Sequence, residues 1–115
     1  KKEHDAIIAT LIEEDYLNEE RFAISFAGGK FRVKQWGRVK IKHELKQKQV
    51  SEYSIKKAVQ QIKEDEYRAV LKKLADEKYE SLKDEQLLVR KKKTVDYLLQ
   101  KGFEMELVRG VVGRD

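Results

Sequence analysis

Apolar residues recur along most of the chain three and four positions apart, which is the spacing of one face of an α-helix. The first series predicts a helix over residues 3–14, with the apolar positions Ile7, Ile8, Leu11 and Ile12. Residues 15–18 interrupt this pattern. Asn18 is a preferred N-cap residue and acidic side chains follow it, so a second helix is predicted to begin there. Its apolar face carries Phe22, Phe26, Gly29 and Val33.

Two features of the next stretch leave its structure open. Gly28-Gly29 lies inside the second predicted helix. Either that helix ends there or another helix passes close to it, and we favour the close approach. Residues 30–42 alternate apolar and cationic side chains, which would suit a basic β-hairpin turning at residues 35–37. The surrounding pattern is helical and a lone hairpin is marginal. We therefore favour a helix that breaks at residues 35–37 and restarts, with Ile41 and Leu45 facing inward.

Four further helices are predicted downstream. Ser51 caps the first of them, the second covers residues 64–81, Asp84 caps the third, and Gly102 ends it at the C′ position. The inward apolar positions include Ile55, Ala58, Val59, Ile62, Tyr67, Val70, Leu71, Leu74, Leu88, Val95, Leu98, Leu99, Leu107, Val108, Val111 and Val112.

An internal repeat organises these helices. Residues 45–50 align without gaps with residues 98–103, and the apolar positions of the following helix align as well. The spacing of about 50 residues is typical of helical repeat arrays. We predict an all-α fold of tandem three-helix repeats that form an elongated, curved array. The predicted divisions are repeat one over 1–49, repeat two over 50–102, and the first helix of a third repeat or a C-terminal cap over 103–115.

Composition narrows the class of protein. Of 115 residues 41% are charged, and the chain contains no Cys and no Pro. The lack of Cys fits a reducing cytoplasm, and no apolar run reaches the roughly 20 residues of a membrane span. The chain begins at Lys1, so we expect an excerpt of a longer protein. We expect a cytoplasmic monomer that contacts no membrane.

Cations are concentrated between residues 30 and 48. This stretch has eight cations and one carboxylate, Glu44, which gives a local charge of +7 against +5 for the whole chain. A second run lies at residues 90–93. Such runs are often solvated helix faces, but this density around Trp36-Gly37 indicates a surface that faces a polyanion. The predicted basic face consists of Lys30, Arg32, Lys34, Arg38, Lys40, Lys42, Lys46, Lys48, Arg90, Lys91, Lys92 and Lys93.

Candidate chemistry is otherwise sparse. Trp36 could stack on a base, although an aromatic side chain between two helices more often plugs the core. Tyr16 and Phe22 are expected in the core. His43-Glu44 lacks the second His of a zinc-protease helix, and Gly28-Gly29 lacks the ending of a phosphate-binding loop. We predict no enzymatic activity, no metal and no cofactor.

Several motifs together resemble the RecX family of bacterial recombinase regulators. They are Tyr16-Leu17, the triplet Arg21-Phe22-Ala23, Trp36-Gly37, the series Ile41, Leu45 and Gln47-Lys48, and later Leu98 with Lys101-Gly102-Phe103. The resemblance covers nearly the whole chain. Two positions depart from the family pattern: Gln49 stands where many members have Gly, and Arg38 stands where Pro is common.

The resemblance implies tandem three-helix repeats without enzymatic activity. It also implies binding to the RecA recombinase filament and to DNA, through the filament or directly. The implied function is inhibition of the recombinase ATPase, filament growth and strand exchange, within homologous recombination, DNA repair and the SOS response. The alternative is a stand-alone, sequence-independent nucleic-acid-binding helical protein.

Overall fold

The computed structural model describes the backbone of residues 2–113 and the side chains of residue 15 and residues 17–113. This part of the chain consists of helices joined by short turns and contains no strand, so the all-α prediction is confirmed and the β-hairpin alternative is wrong. The elements are α1 Lys2–Gly29, a π-helical turn Lys30–Lys34, α2 Arg38–Gln47, α3 Glu52–Gln60, α4 Glu64–Ser81, α5 Leu87–Gln100 and α6 Met105–Val112. None of these helices is both long and apolar enough to cross a membrane.

The helices form two bundles in tandem. Helix α3 packs against α1 and α2 in the first bundle, while α4, α5 and α6 pack on one another in the second. The molecule is elongated, with extents of 72 × 22 × 20 Å. The tandem helical array is therefore confirmed. The predicted divisions at residues 49 and 102 stay a prediction. They state where one sequence repeat ends and the next begins, and the packing of the helices does not determine those points.

One continuous hydrophobic core runs through both bundles. Ile41 and Leu45 are fully buried in the first bundle, as predicted, and Leu98 is fully buried in the second. Three aromatic rings connect the bundles. Tyr67 of α4 lies 5.8 Å from Phe31 of the π-helical turn and 5.2 Å from Phe103 after α5, measured between ring centroids.

Helix α1 is continuous where a break was predicted. It passes through residues 15–18 without interruption, so Asn18 caps no helix. Neither Gly nor Pro occurs at these positions, and a preference for capping does not by itself end a helix whose backbone hydrogen bonds are satisfied. The inward positions predicted for Ile7, Ile8, Leu11 and Ile12, and for Tyr16, lie outside the described side chains.

Gly28 and Gly29 do not accommodate a neighbouring helix, so that prediction is wrong. A Cβ atom on Gly29 would meet nothing within 4 Å, and one on Gly28 would meet only the guanidinium of Arg32. The α-helix instead ends at Gly29, which was the other alternative, and continues directly as the π-helical turn. The predicted break at residues 35–37 is confirmed, since Gln35 adopts a left-handed conformation with φ of 57°.

Most of the later helix ends were predicted correctly. Ser51 caps α3, α4 covers the expected residues, and Gly102 follows α5 with φ of 98°. Asp84 is not a cap, because α5 begins at Leu87 with Gln86 as its N-cap. Leu88 does not face the core, since it lies in the first turn of α5 and is 81% exposed.

Candidate nucleic-acid interface

Trp36 lies at the centre of a group of lysines. Its ring is half-buried against the hydrophobic core and meets the edge of Phe26, with 6.4 Å between ring centroids. The ammonium groups of Lys30 and Lys40 lie 5.0 and 4.5 Å from its ring centroid. Lys48 lies 5.6 Å from the ring of Phe26. We call these five residues the Trp36 cluster.

The cluster holds its cations without neutralising them. An ammonium group over an aromatic face gains about 0.5–1 kcal/mol at exposed sites while keeping its full charge. Among the described side chains, no carboxylate lies within 4.0 Å of the ammonium of Lys30, Lys40 or Lys48. Their positive charge is therefore available to an anion.

A lysine of the second bundle joins this cluster. The ammonium of Lys101 donates a hydrogen bond of 2.7 Å to the backbone carbonyl of Lys34. Burial lowers the pKa of Lys101, and the charges of Lys40 and Lys34 lower it further. Lysines of both bundles therefore meet beside Trp36.

The turn at residues 35–37 brings the two bundles into contact. The N–H of Gly37 donates to the carbonyl of Lys101 at 2.8 Å, and that of Val39 donates to the carbonyl of Gly102 at 2.9 Å. A Cβ atom on Gly37 would overlap the backbone of Gly102, and one on Gly102 would overlap Lys40. The two backbones can come this close because neither glycine has a Cβ atom. Unpaired N–H groups at the start of α2 thus find their acceptors in the other bundle.

Arg38 completes this contact, which we call the joint. Its guanidinium pairs with Glu64 at 2.6 Å and Glu104 at 2.8 Å, and lies 3.8 Å from the centroid of the Tyr67 ring. Its backbone N–H donates to the Tyr67 hydroxyl at 2.8 Å, and that hydroxyl donates to Glu104. The hydrogen bond from Arg38 lowers the pKa of Glu64. Burial raises the pKa of Tyr67, and its bond to Glu104 raises it further, so the hydroxyl remains a donor.

The joint corrects one predicted site residue and adds others. Arg38 was predicted on the exposed basic face, but its side chain is 18% exposed and is paired with carboxylates of the second bundle. The contacts of Glu64, Glu104 and Tyr67 with Arg38 were not predicted. These residues lie 26, 66 and 29 positions from Arg38 in the sequence, so no local pattern could connect them.

Family models match the chain in two consecutive segments. The model described as "RecX, second three-helix domain" matches residues 18–59, and that described as "RecX, third three-helix domain" matches residues 64–112. The chain belongs to the RecX family. The first matched segment covers the first bundle from residue 18 of α1 onward, and the second covers α4, α5 and α6 of the second bundle.

Curated relatives agree with this assignment. Proteins named "Regulatory protein RecX" from Leuconostoc mesenteroides, Clostridium tetani and Bacillus cytotoxicus are 29%, 33% and 26% identical to this chain. The alignments cover 96%, 87% and 90% of this chain but 41%, 49% and 38% of those proteins. The chain thus spans less than half the length of these RecX relatives. No solved structure matches it.

The other predicted cations of this RecX chain differ in their surroundings. Arg32, Lys34 and Lys42 are exposed, and Lys46 lies 3.8 Å from the carboxylate of Glu52. The run at residues 90–93 points in several directions, as expected of adjacent helical residues. Arg90 stacks on Tyr79 at 3.6 Å and donates to its carbonyl, Lys92 and Lys93 pair with Asp96 and Glu85, and Lys91 is half-buried.

The residues of the RecX motifs divide into core and surface. Ala23, Gly37, Ile41 and Leu45 are buried, and Trp36 is half-buried, whereas Leu17, Arg21, Phe22, Gln47 and Lys48 are exposed. Phe22 was predicted in the core, but it lies 5.8 Å from Phe26 on the outer side of α1 and is 47% exposed. The described residues contain no group of three side chains that could hold a metal ion.

Proposed function

We propose that this chain binds the RecA recombinase–DNA filament and inhibits its ATPase, filament growth and strand exchange. The observation that carries the proposal is the pair of family models, which match two consecutive RecX domains over residues 18–59 and 64–112. The relatives that share these domains are named regulatory proteins. We propose that the chain acts in the cytoplasm as a monomer.

The proposed mechanism is bridging. An elongated body with a long axis of 72 Å can contact more than one subunit of a helical filament. The Trp36 cluster supplies positive charge on one side of this body and would face the DNA phosphates. Because a recombinase filament assembles cooperatively, few bound molecules would be enough to block its growth.

The proposal is tested with the recombinase, single-stranded DNA and substoichiometric amounts of the chain. We expect the ATPase rate and the yield of strand exchange to fall as the chain is added. Unchanged rates and yields at these substoichiometric amounts would contradict the proposal.

A stand-alone nucleic-acid binder is the second candidate, and the unneutralised lysines of the Trp36 cluster favour it. It predicts tight binding to free DNA that weakens steeply with salt. Feeble binding to free DNA together with strong binding to the filament would decide for the first candidate.

A further inference from the structure

The ammonium of Lys101, a residue of the second bundle, contacts the backbone of the first bundle. The turn after α5 places it against the carbonyl of Lys34, where the charges of Lys40 and Lys34 both act on it. The hydrogen bonds of the joint fix this position, since the carbonyl of Lys101 itself accepts from the N–H of Gly37. The second bundle can deliver this charge to the Trp36 cluster only while the joint is formed.

Gathering these charges opposes folding unless an anion compensates them. Like charges that lie near one another repel, and partial burial reduces the screening of this repulsion by water. Burial is the larger cause of the lowered pKa of Lys101, and the charges of Lys40 and Lys34 lower it further. No described carboxylate lies within 4.0 Å of the ammonium of Lys34, Lys40 or Lys101. A phosphate group placed among them would remove the repulsion.

We propose that the joint assembles one phosphate-binding site from both bundles, with Lys34 and Lys40 from the first and Lys101 from the second, beside Trp36. The ligand is the phosphodiester backbone of a nucleic-acid strand. This inference rests on the proposed function, because it names the residues through which the filament-facing surface would contact DNA. Base identity plays no part, because ammonium groups and phosphates carry no sequence information.

Arg38 is the positioning residue of this site. It does not face the strand, because its guanidinium is paired with Glu64 and Glu104 inside the joint. Its role is to hold the second bundle where Lys101 reaches the cluster. Loosening this contact removes the contribution of Lys101 while leaving Lys34 and Lys40 in place.

The first experiment measures binding of a labelled single-stranded oligonucleotide to the chain without recombinase, across a salt series. Trp36 is the only tryptophan, so its fluorescence reports directly on the site. We expect Lys101→Gln to weaken binding about fivefold and to reduce the salt slope by about 0.7, the value for one lost phosphate contact on a single strand. Lys72→Gln is the matched control. It removes the same charge from the exposed side of α4, where Lys72 pairs with Asp76, and it should leave binding unchanged.

The second experiment tests the joint by a double-mutant cycle. In an Arg38→Gln background we expect Lys101→Gln to weaken oligonucleotide binding much less than it does in the parent chain, because Lys101 no longer lies at the site. Lys40→Gln should keep its full effect there. If Arg38→Gln fails to fold, Tyr67→Phe serves instead, since it removes the bonds to Arg38 and Glu104 but keeps the buried ring. If Lys101→Gln weakens oligonucleotide binding equally in both backgrounds, or in neither, the inference is overturned.

A third measurement separates this inference from the proposed function. Recombinase ATPase inhibition is compared for the parent chain and Lys101→Gln. If the chain binds free strands through Lys101 but leaves the ATPase unchanged, the inference stands and the proposed function fails. If both forms inhibit equally and neither binds free strands, the inference fails and the proposed function stands.

Discussion

Glu19 links the long helix α1 to the start of α3 through one serine. Its carboxylate accepts hydrogen bonds from the hydroxyl of Ser51 at 2.5 Å and from its N–H at 3.1 Å. The same hydroxyl oxygen accepts from the N–H of Ser54 and so caps α3. The hydrogen bond from the Ser51 hydroxyl lowers the pKa of Glu19, and Ser54 contributes in the same direction. Folding therefore favours the ionised carboxylate.

This contact makes stability depend on pH. The pKa of Glu19 is lower in the folded chain than the ordinary value of 4.5. The contribution of Glu19 is therefore present above about pH 4.5 and is lost as the pH falls through its folded value. We expect Glu19→Gln to lower the thermal unfolding midpoint at pH 7 and to flatten its decline below pH 4.5. Glu20→Gln on the same helix is the control, and an identical acid limb for parent and Glu19→Gln would contradict the expectation.

Single residues were predictable where a local rule fixes them. Ile41 and Leu45 follow from helical spacing, and Ser51 follows from the side-chain chemistry of an N-cap. Arg38 was not predictable, because its partners come from helices far along the chain. Phe22 was assigned to the core by its spacing alone, although apolar residues also occupy surfaces.

The helix ends after Leu45 and after Leu98 have the same geometry. The N–H of Val50 donates to the carbonyl of Leu45, and that of Phe103 donates to the carbonyl of Leu98, each at 3.1 Å. The intervening left-handed residues are Gln49 at φ 63° and Gly102 at φ 98°. The internal repeat in the sequence is thus a repeat of this C-cap and of the apolar residue that packs after it.

The two caps differ in the residue that takes the left-handed conformation. A side chain costs about 1 kcal/mol there, which glycine avoids. We expect Gln49→Gly to raise the free energy of unfolding by up to about 1 kcal/mol, measured by urea denaturation. Gly102→Ala should do the reverse and also open the joint, because its Cβ atom would overlap Lys40. A destabilising Gln49→Gly would show that the Gln49 side chain makes a contribution larger than its backbone cost.

At the scale of elements, sequence rules located later helices better than the first one. Helix α4 was predicted over its full length because its apolar spacing is regular. Helix α1 was divided in two because Asn18 resembles a cap. The π-helical turn after Gly29 was missed, since no local pattern distinguishes it from an α-helical turn.

The arrangement of the whole molecule depends on contacts that the sequence does not pair. The bundles meet through the turn at residues 35–37, the start of α4 and the turn after α5. Glycines at 37 and 102 and the polar partners of Arg38 make this contact specific. Tandem repeats were predictable from the aligned segments, but the joint was not. Its residues lie outside the aligned segments or differ between the two copies of the repeat.

Two lysines of α2, Lys40 and Lys42, lie on different sides of the helix and have different expected roles. Lys40 lies over Trp36 and beside Gly102, whereas Lys42 is exposed in the groove with Lys46 and Glu52. Residues two positions apart on a helix point about 200° from each other. The two lysines therefore face nearly opposite sides of α2, and only Lys40 belongs to the Trp36 cluster.

Single charge reversals can therefore distinguish a site from a general attraction. Lys40→Glu and Lys42→Glu change the net charge of the chain equally, from +5 to +3. Co-sedimentation with recombinase filaments on single-stranded DNA across a salt series should show at least about tenfold weaker binding for Lys40→Glu, because a carboxylate there repels the strand. Lys42→Glu should have a much smaller effect, and the double variant should lose little more than Lys40→Glu. Equal losses for the two single variants would mean that the net charge of the chain, rather than the Trp36 cluster, draws it to the filament.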